Sequence, residues 1–248
     1  MNARPPAGEQ AGGAEAPDVR CYSVGPIQEN AYFVRAGGLG SEPSSALLVD
    51  PGDEPQRLLE AAQTLGVQVE AILITHCHFD HVGAVAPLAR ATGAPVYCPQ
   101  IETPVLADVM KWTMPGFGPF ESWQAEETVK GGEQLRLAGM DVQVIFTPGH
   151  SPGHVTYAIS AGGGPAVLLS GDVLFQGSVG RVDLPGGDWA TLERSIGELA
   201  RSFPRETAVH PGHMGATTLG RELETNPFLA ELRRTIGDPD DPQSVAVA

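Results

Sequence analysis

The stretch Ala71-Ile72-Leu73-Ile74-Thr75-His76-Cys77-His78-Phe79-Asp80-His81 decides the reading of this chain. It opens on an unbroken apolar run, which reads as a strand. The strand stops at a dense group of imidazoles and one carboxylate. In extended backbone the side chains at i and i+2 point the same way, so His76 and His78 can grip one ion from one side. Cys77 and Phe79 then point elsewhere. Once the chain turns into a helix at Asp80, that carboxylate and His81 swing toward a second ion. A group this dense leaves ligands over if it serves one tetrahedral ion, whereas two ions use them all.

The same arrangement recurs downstream. Val142-Gln143-Val144-Ile145-Phe146 leads to Thr147-Pro148-Gly149-His150-Ser151-Pro152-Gly153-His154. Ala166-Val167-Leu168-Leu169 leads to Ser170-Gly171-Asp172, and Thr207-Ala208-Val209 to His210-Pro211-Gly212-His213. His150, Asp172 and His213 come from separate strand ends and would close the two sites. Asp172 is the natural bridge, because a carboxylate has two oxygens. Imidazole and carboxylate donors suit zinc, iron or manganese. Two ions about 3.5–4 Å apart can share a hydroxide of lowered pKa and polarise a carbonyl or phosphoryl oxygen. That chemistry needs no protein nucleophile.

Composition narrows the partners. Thirty acidic residues against 15 basic give a net charge of −15, which disfavours nucleic acid and anionic membrane surfaces. No apolar run reaches membrane-spanning length. Three widely spaced cysteines (Cys21, Cys77, Cys98) make no disulfide framework, so a cytoplasmic location is expected. Residues 1–17 are rich in Ala, Gly, Pro and Glu and read as a disordered N-terminal tail. Residues 18–248 read as a single domain ending in helices.

Short strands are expected at Cys21–Val24, Ala31–Val34 and Ala46–Val49, then a helix from Glu54 to Leu65 stopped by Gly66. A helix from His81 to Ala91 follows the first cluster. Strands at Gln134–Leu137, Val142–Phe146, Val155–Ile159 and Ala166–Leu169 precede a helix over Trp189–Arg201 that Asp188 caps. A strand meander followed by alternation with helices, repeated in the second half, suggests two sheets face to face with helices outside.

His76-x-His78-x-Asp80-His81, with His150, Asp172 and His213 downstream, resembles the metallo-β-lactamase superfamily from roughly Asp18 to Leu229. The resemblance implies an α/β fold, the four-layer αββα sandwich. It implies one ion on His76, His78 and His150, a second on Asp80, His81 and His213, and Asp172 between them. Asp80 and Asp172 then act in catalysis through the metal-bound hydroxide. True β-lactamases commonly carry a Cys where this chain has Asp172, which points away from antibiotic hydrolysis. Gly25-Pro26-Ile27-Gln28-Glu29-Asn30-Ala31-Tyr32, Thr147 to His154, Gly171-Asp172-Val173-Leu174-Phe175 and Gly180-Arg181-Val182-Asp183 are similar to the glyoxalase II branch. Pro211-Gly212-His213 and Asn226-Pro227-Phe228-Leu229 resemble its short bacterial members, without the C-terminal helical domain of the long ones.

That branch implies a hydroxyacylglutathione hydrolase: two divalent ions, zinc foremost with iron or manganese as alternatives, and a small-molecule thioester or glutathione conjugate as substrate. Arg181 lies where the branch places a basic residue near the substrate thiol moiety, and is the expected contact for a substrate carboxylate. Asp50 and His154 are expected to orient ligands from behind, although Asp50 could equally cap a turn. Cys77 is expected to pack between ligands, and His210 to stand aside. The aromatics from Trp112 to Trp123 are either a lid over a substrate channel or ordinary packing. The alternatives are a glutathione persulfide dioxygenase with one iron, and another hydrolase of this fold acting on a lactone or phosphodiester.

Overall fold

The structure, a computed structural model, describes residues 15–37 and 44–236. Most of the expected tail, residues 1–14, and the C-terminal residues 237–248 lie outside the described residues.

The first sheet takes β1 (Asp18–Val24), β2 (Glu29–Arg35), β3 (Ser44–Val49), β4 (Val67–Leu73), β5 (Val96–Pro99) and β6 (Glu127–Val129), in that spatial order. Its first three strands form an antiparallel meander, and β3 through β6 run parallel. Helices α1 (Pro55–Leu65), α2 (Phe79–Val82) and α3 (Val85–Thr92) lie in its crossovers, followed by the short α4 (Thr103–Leu106) and α5 (Val109–Trp112).

The second sheet is built from β7 (Gln134–Leu137), β8 (Met140–Phe146), β9 (Val155–Ser160) and β10 (Val167–Gly171). A hairpin of β11 (Leu174–Phe175) with β12 (Ser178–Val179) and helix α6 (Trp189–Ser202) then lead to β13 (Ala208–Pro211) and β14 (Thr217–Thr218), which complete the sheet beside β10. Helices α7 (Leu219–Thr225) and α8 (Ala230–Ile236) follow.

Successive strand residues face opposite sides, and this alternation produces the layers. Leu47, Leu73 and Tyr32 point between the sheets and meet Met140, Val144, Tyr157 and Leu169 of the second sheet. Their neighbours Leu48, Ile72 and Phe33 point outward onto Leu58 of α1 and Leu88 of α3. On the far side, Ala158 and Leu168 meet Leu192, Ile196 and Leu199 of α6 with Leu223 and Leu232 of the last helices. Three apolar layers between four structural layers give the αββα sandwich. Each fully buried aliphatic side chain contributes roughly 1.5–3 kcal/mol, so strands apolar on both faces can belong only in the middle of such a stack.

Local signals hold the boundaries. Asp188 accepts the N–H of Thr191 at 2.8 Å and caps α6. Gly66, in the left-handed region at φ 65°, stops α1. The helix expected over His81–Ala91 is instead two helices. Gly83 packs so close to the Gly52 carbonyl that a Cβ would lie 2.3 Å from it, and the next N–H, of Ala84, donates to Pro51 O at 3.0 Å. The bond to the loop replaces a helical one and breaks the helix there.

Candidate metal centre

All the histidine clusters end at one rim of the sandwich because the strands that deliver them end there. Backbone bonds stitch the clusters together. Val155 N donates to Thr75 O at 2.9 Å, Gly212 N to Gly171 O at 2.8 Å, and Asn30 N to Gly212 O at 2.8 Å. Tyr157 crosses between the sheets to donate to Ile74 O at 3.0 Å.

His76, His78 and His150 converge. His150 Nε2 lies 3.2 Å from His76 Nε2 and 2.8 Å from His78 Nδ1, and His76 Nε2 lies 3.0 Å from His78 Nδ1. The tautomers follow from the opposite nitrogens. Arg181 O can only accept, so His150 Nδ1, 2.8 Å from it, carries the proton and leaves Nε2 a bare lone pair. The Thr75 hydroxyl gives its hydrogen to Asp50 Oδ2 at 2.6 Å, so it can only accept from His76 Nδ1, 3.1 Å away. His76 Nε2 is therefore bare as well. Two lone pairs facing each other across 3.2 Å repel unless a cation lies among them.

Asp80, His81 and His213 form the adjoining group, with His213 Nε2 at 3.2 Å from Asp80 Oδ2 and His81 Nε2 at 3.7 Å from the same oxygen. Asp172 stands between the two groups. Its Oδ1 is 3.4 Å from His81 Nε2, and its Oδ2 is 3.5 Å from His150 Nε2 and 3.8 Å from His213 Nε2. His81 Nε2 and Asp172 Oδ1 are buried without any hydrogen-bond partner. Orphaned buried atoms of this kind are rare in folded proteins, and here they face each other at the centre of the group. Gly212 leaves the space open: a Cβ there would lie 2.3 Å from Asp172 Oδ1 and 2.5 Å from His81 Cε1. The donor set, its lone pairs and its orphaned atoms fit a pair of cations.

The electrostatics differ between the halves. Burial, then neighbouring imidazoles, hold His76 well below the usual histidine range, and bring His78 down to about 4. Burial opposes charge on His81 too, but Asp172 and Asp80 outweigh it and hold its pKa well above the usual value. His213 is raised despite its burial, through its bond to Asp80 and the charge of Asp172.

Asp50 and His154 both contact members of the clusters. Asp50, in the left-handed region at φ 47°, accepts from Thr75 N at 2.7 Å and from Thr75 Oγ1, and its Oδ2 lies 3.1 Å from His81 Nδ1. His154 accepts the Asp172 N–H on Nε2 at 3.1 Å and stacks on His76. Cys77 is buried, with its Sγ 3.5 Å from that of Cys98. His210 stands away from the group, edge-on to Tyr32 at 5.6 Å.

Arg181 is tied to the site through its carbonyl, while its exposed guanidinium forks onto Asp183 with two 2.7 Å bonds. Phe117 and Phe120 are half-buried against Phe79, with ring centroids 4.7 and 6.0 Å away, whereas Trp112 and Met114 are exposed. These two phenylalanines, with Pro26, Pro87 and Asp53, line a cavity of about 360 Å³.

Two residues of the surroundings carried no role in the sequence. Glu102 is buried and takes Ser151 Oγ at 2.7 Å and Gly153 N at 2.8 Å, fixing the loop that bears His150. Glu29 is buried beside His81 with both oxygens unpartnered. No pattern marked Glu102, which lies in an irregular segment; Glu29 stood only within the Gly25 to Tyr32 segment, ahead of the strand expected at Ala31–Val34.

The sequence pattern of the Metallo-beta-lactamase superfamily matches residues 24–213. The chain belongs to that superfamily. It is 32% identical to the hydroxyacylglutathione hydrolase GloC of Haemophilus influenzae, over 82% of this chain and 96% of that protein. A crystal structure of the BLEG-1 B3 metallo-beta-lactamase superposes with a TM-score of 0.77 at 34% identity, covering 86% of this chain and all of the other. The crystal structure of TTHA1623 in a di-iron-bound form is 45% identical, with a TM-score of 0.67 over 85% of this chain and all of that one. As a superfamily member with these clusters, the protein is a metal-dependent hydrolase of this fold. Among the described residues no helix is long and apolar enough to cross a membrane.

Proposed function

We propose that the protein hydrolyses a small-molecule thioester of the hydroxyacylglutathione type at a dinuclear site. One ion would rest on His76, His78 and His150, and the other on Asp80, His81 and His213, with Asp172 between them. The observation that carries this reading is the pair of orphaned atoms, His81 Nε2 and Asp172 Oδ1, enclosed by two sets of converging donors. The likeness to GloC supports the thioester. Zinc is the proposed metal, with iron the alternative that the di-iron relative supports.

Bound there, the ions supply a nucleophile from water near neutral pH and polarise the scissile carbonyl. The chain's own residues prepare the site. Arg181 O and Thr75 Oγ1 fix the tautomers of His150 and His76, and Asp50 holds Nδ1 of His81. His154 holds the backbone of Asp172. Arg181 would exchange its bond to Asp183 for a substrate carboxylate at the rim. A thiolate leaves readily without a proton, so no further acid is required. The net charge of −15 supports a small substrate over a polyanion, and the free thiols of Cys21, Cys77 and Cys98 support a reducing cytoplasm.

A substrate panel tests the assignment: lactoylglutathione, other thioesters, a lactone, a β-lactam, a phosphodiester and glutathione persulfide. Thiol release from lactoylglutathione at the highest kcat/KM is expected. A higher kcat/KM on the β-lactam or the lactone would replace the thioester reading.

A further inference from the structure

Glu29 heads β2 and is 1% exposed, yet neither of its oxygens has a hydrogen-bond donor. Burying a carboxyl group without a hydrogen-bond partner is unfavourable, and among the described residues none donates to it. Its polar neighbour is the His81 ring, whose Nδ1 lies 3.6 Å from Glu29 Oε1. Asp50 Oδ2 approaches the same nitrogen at 3.1 Å, but Asp50 is also committed to Thr75 through two bonds. Glu29 has no such commitment. Room for it is made by Gly52, where a Cβ would lie 2.7 Å from Glu29 Oε2.

The next residue serves the other histidine of the same half-site. Asn30 Nδ2 donates to Pro211 O at 3.0 Å and to Met214 O at 2.8 Å, and its N–H donates to Gly212 O. It thereby spans the loop that carries His213. Tyr32, one strand repeat further, donates to Pro211 O at 2.7 Å. Glu29 thus lies beside His81, while Asn30 and Tyr32 hold the backbone on either side of His213. Among the hydrogen bonds of this strand start, none reaches His76, His78 or His150.

We propose that Glu29 and Asn30 form a positioning element for the second ion, Glu29 bracketing the His81 ring with Asp50 and Asn30 fixing the His213 loop. This segment then sets whether the site holds two ions or one. The inference rests on the dinuclear reading above. Glu29 is a positioning residue, since it reaches the ion only through His81.

The test titrates metal-free protein with cobalt(II), following the optical spectrum of each site, and repeats the titration with zinc(II) in competition. Wild type is compared with Glu29→Gln, Glu29→Ala and Asn30→Ala, and the unfolding temperature of each metal-free variant is measured. Loss of groups behind a ligand weakens metal binding about ten- to a hundredfold. The expected result is a loss of that size at the second ion alone, larger for Glu29→Ala than for Glu29→Gln, which retains an acceptor oxygen. The metal-free unfolding temperature of Glu29→Gln should not fall, because the variant removes an unpartnered acid. Equal weakening of both ions together with lower metal-free stability would overturn the proposal as mere packing. Unchanged affinities in variants of a wild type that binds two ions would overturn it and leave the dinuclear site standing. A wild type that binds a single ion would overturn both.

Discussion

Nε2 of His154 accepts the backbone N–H of Asp172 at 3.1 Å, so a histidine outside the two donor groups fixes the residue that stands between them. Its Nδ1 is held in turn by Thr147 Oγ1 at 3.1 Å, and its ring stacks on His76 at 4.8 Å. His154→Ala leaves a buried N–H unpaired, which costs about 1–3 kcal/mol. We expect a lower unfolding midpoint and a fall in kcat of about ten- to a hundredfold, the usual effect of losing such support. Denaturant titration and steady-state kinetics check both. Wild-type kcat in this variant would show that Asp172 needs no such support.

Acidification should empty the two halves in order. His76 and His78 are held below the usual histidine range, His78 at about 4, so protons compete weakly for the first ion. His81 and His213 are raised, so each must shed a proton before it can bind, and acid favours the protonated form. As the pH falls through the usual histidine range the second ion should therefore leave before the first, since ligation requires neutral imidazole. Elemental analysis after dialysis at stepped pH reads this directly. Joint loss of both ions would contradict the assignment.

Gly212→Ala should be a selective lesion. The new Cβ would lie 2.3 Å from Asp172 Oδ1 and 2.5 Å from His81 Cε1, inside the space between the donors. Metal content should fall and activity drop at least about a hundredfold, while the circular dichroism spectrum stays native. Full metal content with wild-type activity would mean the space is not used.

The segment around Phe117 and Phe120 packs on Phe79, the neighbour of Asp80. Deleting Pro115–Pro119 should change relative kcat/KM across thioesters while the metal count holds. Unchanged kinetics across the thioesters would reduce the segment to packing.

The two-sheet architecture was legible because a strand meander gives way to strands alternating with helices, and the alternation recurs in the second half. The histidine clusters were legible because each follows an apolar run read as a strand. Strand β5 over Val96–Pro99 and strand β6 over Glu127–Val129 were not foreseen, since each is short and is made by pairing rather than by pattern. The break at Gly83 was hidden because its cause is contact with Gly52, 31 positions away. Arg181 carried a foreseen role in its side chain, but its carbonyl, which no sequence pattern reports, is what holds His150. Glu102 was invisible for the same reason: its partners Ser151 and Gly153 are brought to it only by the fold.

The most direct measurement takes one preparation of the full chain and records metal per chain by elemental analysis, thiol release from lactoylglutathione, and oxygen uptake with glutathione persulfide. The account predicts two ions per chain, rapid thiol release and no oxygen uptake. One iron per chain with oxygen consumed would contradict it and make the protein a dioxygenase.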